Sequence, residues 1–292
     1  MLITLQNEHL SLTVDTLGAQ MMSIQSADGC EYLWQGDPKY WSDRSPTLFP
    51  FIGRLLDKHY TFHGKAYPMK IHGFATGTEF SPEEQTDTKL VLTLTSSIAT
   101  LVMYPFDFTL EVTYELKAGT IVIASRVRNQ SGEYMPFSLG GHPGFRVPLE
   151  EGGKFEDYYL EFSESCSPQR ILFSPTTVLT SGRVPFMGLQ DGKVLPLTHG
   201  LFDEDAIVLE HMAREVTLKS RTSTRSVTVA YPDMPYVGFW QMPGMDAPYV
   251  CIEPWSSLPA RDGILEEISC RSDMVHLAPG KTYENTWTIT IQ

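Results

Sequence analysis

His142 is the first residue in this sequence whose type and setting could do chemistry. It lies among three glycines and a proline in residues 138–145. Glycine tolerates unusual backbone angles and proline removes a hydrogen-bond donor, so this stretch should pair poorly as a strand and open toward a cavity. The imidazole is therefore a candidate proton donor. The alternative is a histidine held in a structural bend.

Glu253 is the second candidate, because it is a carboxylate inside the otherwise apolar residues 249–255. In a strand, Cys251 and Glu253 share one face while Ile252 points to the other. Burying a carboxylate costs free energy unless the group is paired or used, and burial raises its pKa toward that of a general base. Glu253 is thus a candidate base, or else a structural glutamate in an ion pair.

Polar groups at the ends of two other apolar stretches could bind a ligand. Arg54 follows Gly53, and His72 precedes Gly73, so both are expected at the rim of the same sheet. The guanidinium of arginine offers a fork of donors that suits sugar hydroxyls or carboxylates. Taken singly, each residue could equally be a surface or capping group.

An acidic run, residues 203–205, precedes the apolar residues 206–209 and adds a further candidate group. An acidic run of this kind is usually a solvated turn.

The sequence contains no motif for a cofactor or a nucleophile. Residues 1–292 lack G-x-S-x-G, a P-loop and a dinucleotide fingerprint, and the four cysteines form no C-x-x-C pair. His59 and His63 have the spacing of metal ligands on a helix, but they flank a predicted hairpin, where that geometry is lost. We expect no cofactor, no metal and free thiols in a reducing compartment.

Alternation with a period of two predicts strands along the whole chain. In residues 107–116 the apolar side chains that share one face are Phe108, Leu110, Val112, Tyr114 and Leu116. The same period recurs in residues 121–127, 227–231 and 283–291. Glycine and proline, 22 and 20 residues, break the chain about every seven positions, close to the length of a strand.

Turn signals such as His63-Gly64, Ala118-Gly119 and Pro279-Gly280 have the spacing of hairpins in a sandwich or barrel. Only residues 32–41 and 262–268 suggest a short turn of helix. We predict one all-β domain over residues 1–292, folded as a large antiparallel β-sandwich.

Composition limits the classes of partner. The formal charge is −13, without a basic patch, so neither nucleic acid nor a membrane is expected as a partner. The N-terminus has no signal-peptide pattern, which predicts a cytoplasmic protein. No interface pattern distinguishes a monomer from a homodimer.

Taken together, these segments resemble the aldose 1-epimerase (galactose mutarotase) family, in particular its bacterial LacX-like branch. The resemblance rests on the LFPFIGR run, His-Gly-Phe at 72–74, Gly-Gly-His-Pro-Gly-Phe at 140–145, residues 202–209 and Cys-Ile-Glu-Pro-Trp at 251–255. It extends from about residue 10 to the C-terminus. It implies a large twisted β-sandwich whose cleft binds a monosaccharide.

The resemblance also implies roles for individual residues. His142 would be the general acid that protonates the ring oxygen, and Glu253 the base that takes the proton of the C1 hydroxyl. Arg54 and His72 would bind and orient hydroxyls. Asp205 would grip ring hydroxyls, with Asp203 kept as the alternative, because the acidic run departs here from the galactose-specific pattern.

Three functions stay open at this stage. The first is a cofactor-free mutarotase acting on a hexose or a hexose phosphate. The second is a carbohydrate-binding or sugar-sensing protein without turnover. The third, a sugar lyase or hydrolase, would need a carboxylate pair or a Tyr-Arg centre that the sequence does not reveal.

Overall fold

The computed structural model describes residues 1–292 and consists almost entirely of antiparallel strands, which confirms the predicted all-β fold. The strands are β1 Leu2–Gln6, β2 Leu10–Asp15, β3 Gln20–Ser26, β4 Thr47–Leu48, β5 His59–Phe62, β6 Lys65–Pro68, β7 Ser81–Gln85, β8 Lys89–Thr95, β9 Phe108–Lys117, β10 Thr120–Asn129, β11 Met135–Phe137, β12 Gly140–Gly141, β13 Gly144–Arg146, β14 Tyr158–Phe162, β15 Gln169–Phe173, β16 Thr180–Pro185, β17 Val194–Pro196, β18 Ile207–Glu210, β19 Glu215–Ser220, β20 Val227–Ala230, β21 Tyr236–Trp240, β22 Tyr249–Trp255, β23 Val275–Leu277 and β24 Thr282–Ile291.

Two large sheets form the body of the molecule. One has the order β17-β14-β19-β20-β24-β10-β9-β8-β7, and the other β16-β15-β18-β21-β22-β12-β4, with β13 also paired to β22. A single apolar cluster contains Val112 and Trp287 from the first sheet and Phe239 and Ile252 from the second. The two sheets therefore pack face to face as a sandwich.

The alternation read from residues 107–116 describes β9 correctly. From Phe108 to Leu116, every second side chain is buried and those between are partly exposed. This pattern arises because successive side chains of a strand point to opposite faces, and one face of β9 lies against the core.

The outer face of the second sheet, turned away from the first sheet, is apolar as well. Along β22, Val250 and Ile252 belong to the main core, whereas Cys251 and Trp255 belong to two smaller apolar clusters on the other face. Because β22 is buried on both faces, any polar side chain in it lies away from bulk water.

Helical structure is sparse. The only α-helix, Ile98–Met103, was not predicted; Ser97 caps it by accepting a hydrogen bond from the Thr100 N–H. Short 3-10 segments lie at Leu56–Lys58, Ala75–Gly77, Phe155–Asp157, His199–Phe202 and Ile268–Cys270. Residues 32–41 contain no assigned helix, but the N–H groups of Tyr40 and Trp41 both donate to the Asp37 carbonyl at 3.0 Å, which makes a single turn. No helix has the length and apolarity needed to cross a membrane.

The turn signals were partly correct. His63-Gly64 joins the hairpin β5–β6, and Ala118-Gly119 joins β9–β10. The turn at Pro279-Gly280 does not make a hairpin, because β23 pairs with β11 while β24 pairs with β10 and β20. A turn sequence fixes a reversal of the chain, whereas the partner of each strand is fixed by distant residues.

Candidate active site

Strand register brings His142 and Glu253 together. Gly140 of β12 lies opposite Trp255, and Gly144 of β13 lies opposite Cys251. The same antiparallel register places His142, midway between the two glycines, opposite Glu253. Directly opposed residues have their Cβ atoms about 4.5–5.5 Å apart, so these two side chains must meet. In the structure His142 Nε2 is 3.1 Å from Glu253 Oε2.

Both members of this pair are buried, with exposed fractions of 8% for His142 and 1% for Glu253. Burial raises the pKa of Glu253 well above its usual value, and the nearby Asp205 carboxylate raises it further. Burial, with His72 close by, lowers the pKa of His142 well below its usual value. Both shifts favour the neutral forms, so in the free protein the carboxyl keeps its proton and the imidazole is uncharged.

Polar atoms without a protein partner converge on this face of β22. His142 Nδ1, Glu253 Oε2 and the Trp255 indole Nε1 are all buried and make no hydrogen bond within the protein. The His142–Glu253 contact is close but not aligned as a hydrogen bond. Buried polar groups are rarely left without partners, and such groups call for an explanation, of which a catalytic role is one. Here the atoms supply donors and acceptors for a polar ligand.

His72 lies beside this pair, and Arg54 lies near His72. The His72 ring is 5.4 Å from the His142 ring and nearly perpendicular to it. The Gly53 N–H donates to His72 Nδ1 at 3.1 Å, so the proton of the neutral His72 ring is on Nε2. Burial, with the Arg54 cation nearby, lowers the pKa of His72 to about 4. Arg54 itself is exposed and forms no ion pair, so its guanidinium is free to bind a ligand.

Asp205 is the acidic residue of the run that approaches the pair. It is half-buried, with φ of 79°, and its Oδ1 accepts the Ala206 N–H at 2.8 Å. It lies near enough to Glu253 to raise that residue's pKa. Asp203 and Glu204 are exposed, so geometry favours Asp205 over Asp203.

Two tryptophans form an aromatic wall around His142. The Trp41 ring is 4.8 Å from the His142 ring at 33°, and the Trp240 ring is 5.6 Å from it at 80°. Both indoles are half-buried, so part of each ring is exposed to solvent. Phe74, which follows His72 and Gly73, lies in the main core and not in this wall. Trp41 was missed, because it stands in a loop with no motif or periodicity to mark it.

Cys251 completes the buried group. His142, Cys251 and Glu253 each offer one ligand atom, all within 4.8 Å of one another, and this trio is the set that could hold a metal ion. Burial raises the pKa of the Cys251 thiol well above its usual value. A metal would therefore have to displace protons from both the thiol and the carboxyl. The absence of a metal remains a prediction.

These features define a class: an antiparallel β-sandwich that carries a buried histidine–glutamate pair on the outer face of one sheet. Comparison with known proteins gives the family. The sequence profile of aldose 1-epimerases matches residues 1–289, and the chain belongs to that family.

The relatives cover the whole chain. This chain is 35% identical over 303 aligned residues to the plasmid-encoded protein LacX of Lactococcus lactis subsp. lactis. The alignment covers all of this chain and 99% of the relative. A galactose mutarotase related enzyme from Lactobacillus acidophilus superimposes with a TM-score of 0.95 at 32% identity, covering 100% of this chain and 97% of that one. A galactose mutarotase-like protein from Lactobacillus casei gives 0.93 at 31% identity, with both chains fully covered.

Proposed function

We propose that this protein is an aldose 1-epimerase that interconverts the α and β anomers of a monosaccharide, with His142 and Glu253 as its acid–base pair. The observation that carries the proposal is the buried, directly opposed pair, whose pKa values are shifted in opposite directions and whose polar atoms lack protein partners. Mutarotation needs one proton donor and one acceptor, each worth about 10²–10⁴-fold in rate. It needs no electron sink.

The reaction moves one proton in each direction at the hemiacetal. In ring opening, Glu253 takes the proton of the C1 hydroxyl, the C1–O5 bond breaks as C1=O forms, and His142 gives its proton to O5. Rotation about the C1–C2 bond then presents the other face of the aldehyde. On reclosure O5 attacks C1, His142 takes the O5 proton back, and Glu253 returns a proton to the carbonyl oxygen.

The pKa shifts of the pair suit this cycle. The buried site favours neutral imidazole and protonated carboxyl, which is the state of the pair after ring opening. Opening starts from the charged pair, which forms when a proton moves from the Glu253 carboxyl to His142, whose Nε2 is 3.1 Å from Glu253 Oε2. Opening then returns both groups to the neutral forms that burial favours. The same pair, with roles exchanged, is then ready for reclosure.

The remaining residues would bind and orient the sugar. The exposed guanidinium of Arg54 and the Nε2–H of His72 are donors for hydroxyls, and the Asp205 carboxylate is an acceptor. Trp41 and Trp240 offer apolar surface to the C–H faces of a pyranose ring. The expected partner is therefore a monosaccharide.

Polarimetry tests the proposal directly. Freshly dissolved α-glucose and α-galactose are followed in weak buffer with wild-type protein, His142→Asn, Glu253→Gln and, as a control, His63→Asn. His63 is exposed and pairs with Glu133, so its loss should leave the rate unchanged. We expect both site variants to lose at least about 10²-fold in kcat with an intact fold.

Two outcomes would contradict this reading. If neither these sugars nor other common aldoses equilibrate faster than in buffer alone, a non-catalytic sugar-binding protein explains the site better. If the sugars turn over but both variants lose less than about threefold, the protein is a mutarotase whose acid and base are other residues.

A further inference from the structure

Trp255 carries a buried hydrogen-bond donor beside the proposed general base. Its side chain is 4% exposed, and its indole Nε1 makes no hydrogen bond within the protein. Glu253 stands two residues before it in β22, so the two side chains project from the same face of the strand, with Cα atoms about 6.6 Å apart. A buried N–H without a partner, placed next to a buried carboxyl, calls for an explanation.

Two glycines on the neighbouring strands show how the indole lies. Gly140 of β12 is opposite Trp255, and a Cβ there would stand 2.9 Å from Cδ1 of the ring. Gly238 of β21 is opposite Glu253, and a Cβ there would stand 3.3 Å from Cζ2 of the ring. Nε1 is between these two carbons on the same edge of the indole. The N–H edge therefore lies against the sheet and extends from the level of Trp255 to the level of Glu253.

The proposed reaction needs a carboxylate in this buried place. Ring opening starts with a negatively charged Glu253 beside a protonated His142, although burial and the Asp205 carboxylate both raise the pKa of Glu253. The indole N–H of Trp255 acts in the opposite direction and lowers that pKa. A hydrogen bond to a charged carboxylate is about twice as strong as one between neutral groups, so the indole stabilises the charged form of Glu253.

Other buried donors without a partner are in the wrong place to do this. Thr93 is in β8 of the first sheet, and Arg170 of β15 is opposite Leu209, which lies in the main core and so on the other face of the second sheet. Apart from His142 itself, Trp255 is therefore the unpartnered donor that shares a face with Glu253.

The titratable groups around Glu253 come from several elements. Those near it are His142 after β12, Asp205 before β18, Tyr249 and Cys251 in β22, and His72 beside His142. Burial raises the pKa of Tyr249 and of Cys251, so both are neutral near pH 7. A substitution at Trp255 removes none of these groups, so it isolates the effect of the indole N–H.

We propose that Trp255 is the positioning residue of the general base, whose indole N–H donates to the Glu253 carboxylate and orients it in the charged state of the His142–Glu253 pair. The inference rests on the proposed mutarotase function and deepens it. Trp255 exchanges no proton and acts only through Glu253.

The first test is the pH profile of Trp255→Phe, which keeps an aromatic ring and removes the donor. The high-pH limb of kcat/KM reports the loss of the Glu253 proton, and the low-pH limb the protonation of His142. With a less stable carboxylate, the high-pH limb should move up by about one pH unit while the low-pH limb stays in place. We expect kcat to fall by about three- to tenfold and KM to change by less than about twofold.

Trp287→Phe is the matched control for lost packing. Trp287 of β24 is also 4% exposed, and it lies against Gly141 from the main core. This variant loses a buried indole near the site but no donor to Glu253. It should lower the free energy of unfolding and leave the high-pH limb where it is in wild-type protein.

The second test needs no turnover. In ¹H–¹⁵N spectra of wild-type protein, the Trp255 indole signal, assigned by its NOEs to Gly140 and Gly238, should move as the pH rises and Glu253 loses its proton. In Glu253→Gln the same signal should not move over that range. The Trp34 indole, which donates to the Trp41 carbonyl at 2.8 Å, is the internal reference.

Either of two results overturns the positioning role. One is a high-pH limb that Trp255→Phe leaves unchanged, and the other is a Trp255 signal that responds to pH alike in wild-type protein and Glu253→Gln. Both leave the proposed function standing if the sugars turn over. Absence of turnover with every sugar is a failure of the proposed function itself, and the positioning role falls with it.

Discussion

Replacing Glu253 with glutamine should make the protein more stable at neutral pH. The pKa of Glu253 is raised well above its ordinary value of 4.5, so above pH 4.5 the folded protein keeps a proton that the unfolded chain releases. The free energy of unfolding therefore falls by about 1.4 kcal/mol per pH unit from pH 4.5 up to the folded-state pKa. Glutamine has the shape of the protonated acid and removes this dependence.

The two proteins should be similar in stability near pH 4.5. Above that pH their free energies of unfolding should diverge by about 1.4 kcal/mol per pH unit until the folded-state pKa of Glu253 is reached. The lowered pKa of His142 costs both proteins stability as the pH falls below 6.5, so it cancels in the difference. Urea unfolding at half-unit steps from pH 4.5 to 8 measures the effect.

Glu266→Gln is a control that should change the free energy of unfolding at neutral pH in the opposite direction. Glu266 is also buried, but its side chain accepts two hydrogen bonds from Arg261, at 2.9 and 2.8 Å, and its pKa is lowered. It adds stability above its unfolded-state pKa, and that stability is lost as the pH falls. This variant should be less stable than wild type at pH 7, with a deficit that shrinks toward low pH. Parallel curves for wild type and Glu253→Gln would refute the reasoning about Glu253.

Three further substitutions test the binding residues and the backbone that supports them. Arg54→Ala should raise KM by about tenfold with little change in kcat or stability, because its side chain is exposed and unpaired. Trp41→Ala should raise KM about two- to tenfold, as an apolar wall beside His142 is lost; an unchanged KM in either variant would remove that residue from the sugar site. Gly73→Ala should lower the free energy of unfolding by at least about 2 kcal/mol, because φ is 79° and the new Cβ would collide with the Phe49 carbonyl; wild-type stability in urea would contradict this.

The sequence predicted the fold class well, because a strand with one face in the core must alternate. Residues 108–116 show this clearly. The helix Ile98–Met103 could not be found in the same way, since Ile98 and Val102 are mostly exposed and give no amphipathic pattern. The capping box at Ser97 and Thr100 was its one local signal.

The candidate residues of the site could be selected from the sequence because each stands where a strand is interrupted. Glycine and proline interrupt strands, and they stand beside Arg54, His72, His142 and Glu253. The meeting of His142 with Glu253 was not predictable from the residues alone, because it depends on the register of β22 against two short strands far away in sequence. Trp41 reaches His142 only through tertiary packing.

The most direct test of the central claim is proton NMR exchange spectroscopy on an aldose at anomeric equilibrium in D₂O, with wild-type protein and with Glu253→Gln. Wild-type protein should produce exchange cross-peaks between the α and β H1 signals, while H1 and H2 stay undeuterated because only oxygen-bound protons move. Glu253→Gln should weaken these cross-peaks to the level of buffer alone. Cross-peaks of equal intensity with both proteins, or deuterium entering at C2, would contradict acid–base ring opening by His142 and Glu253.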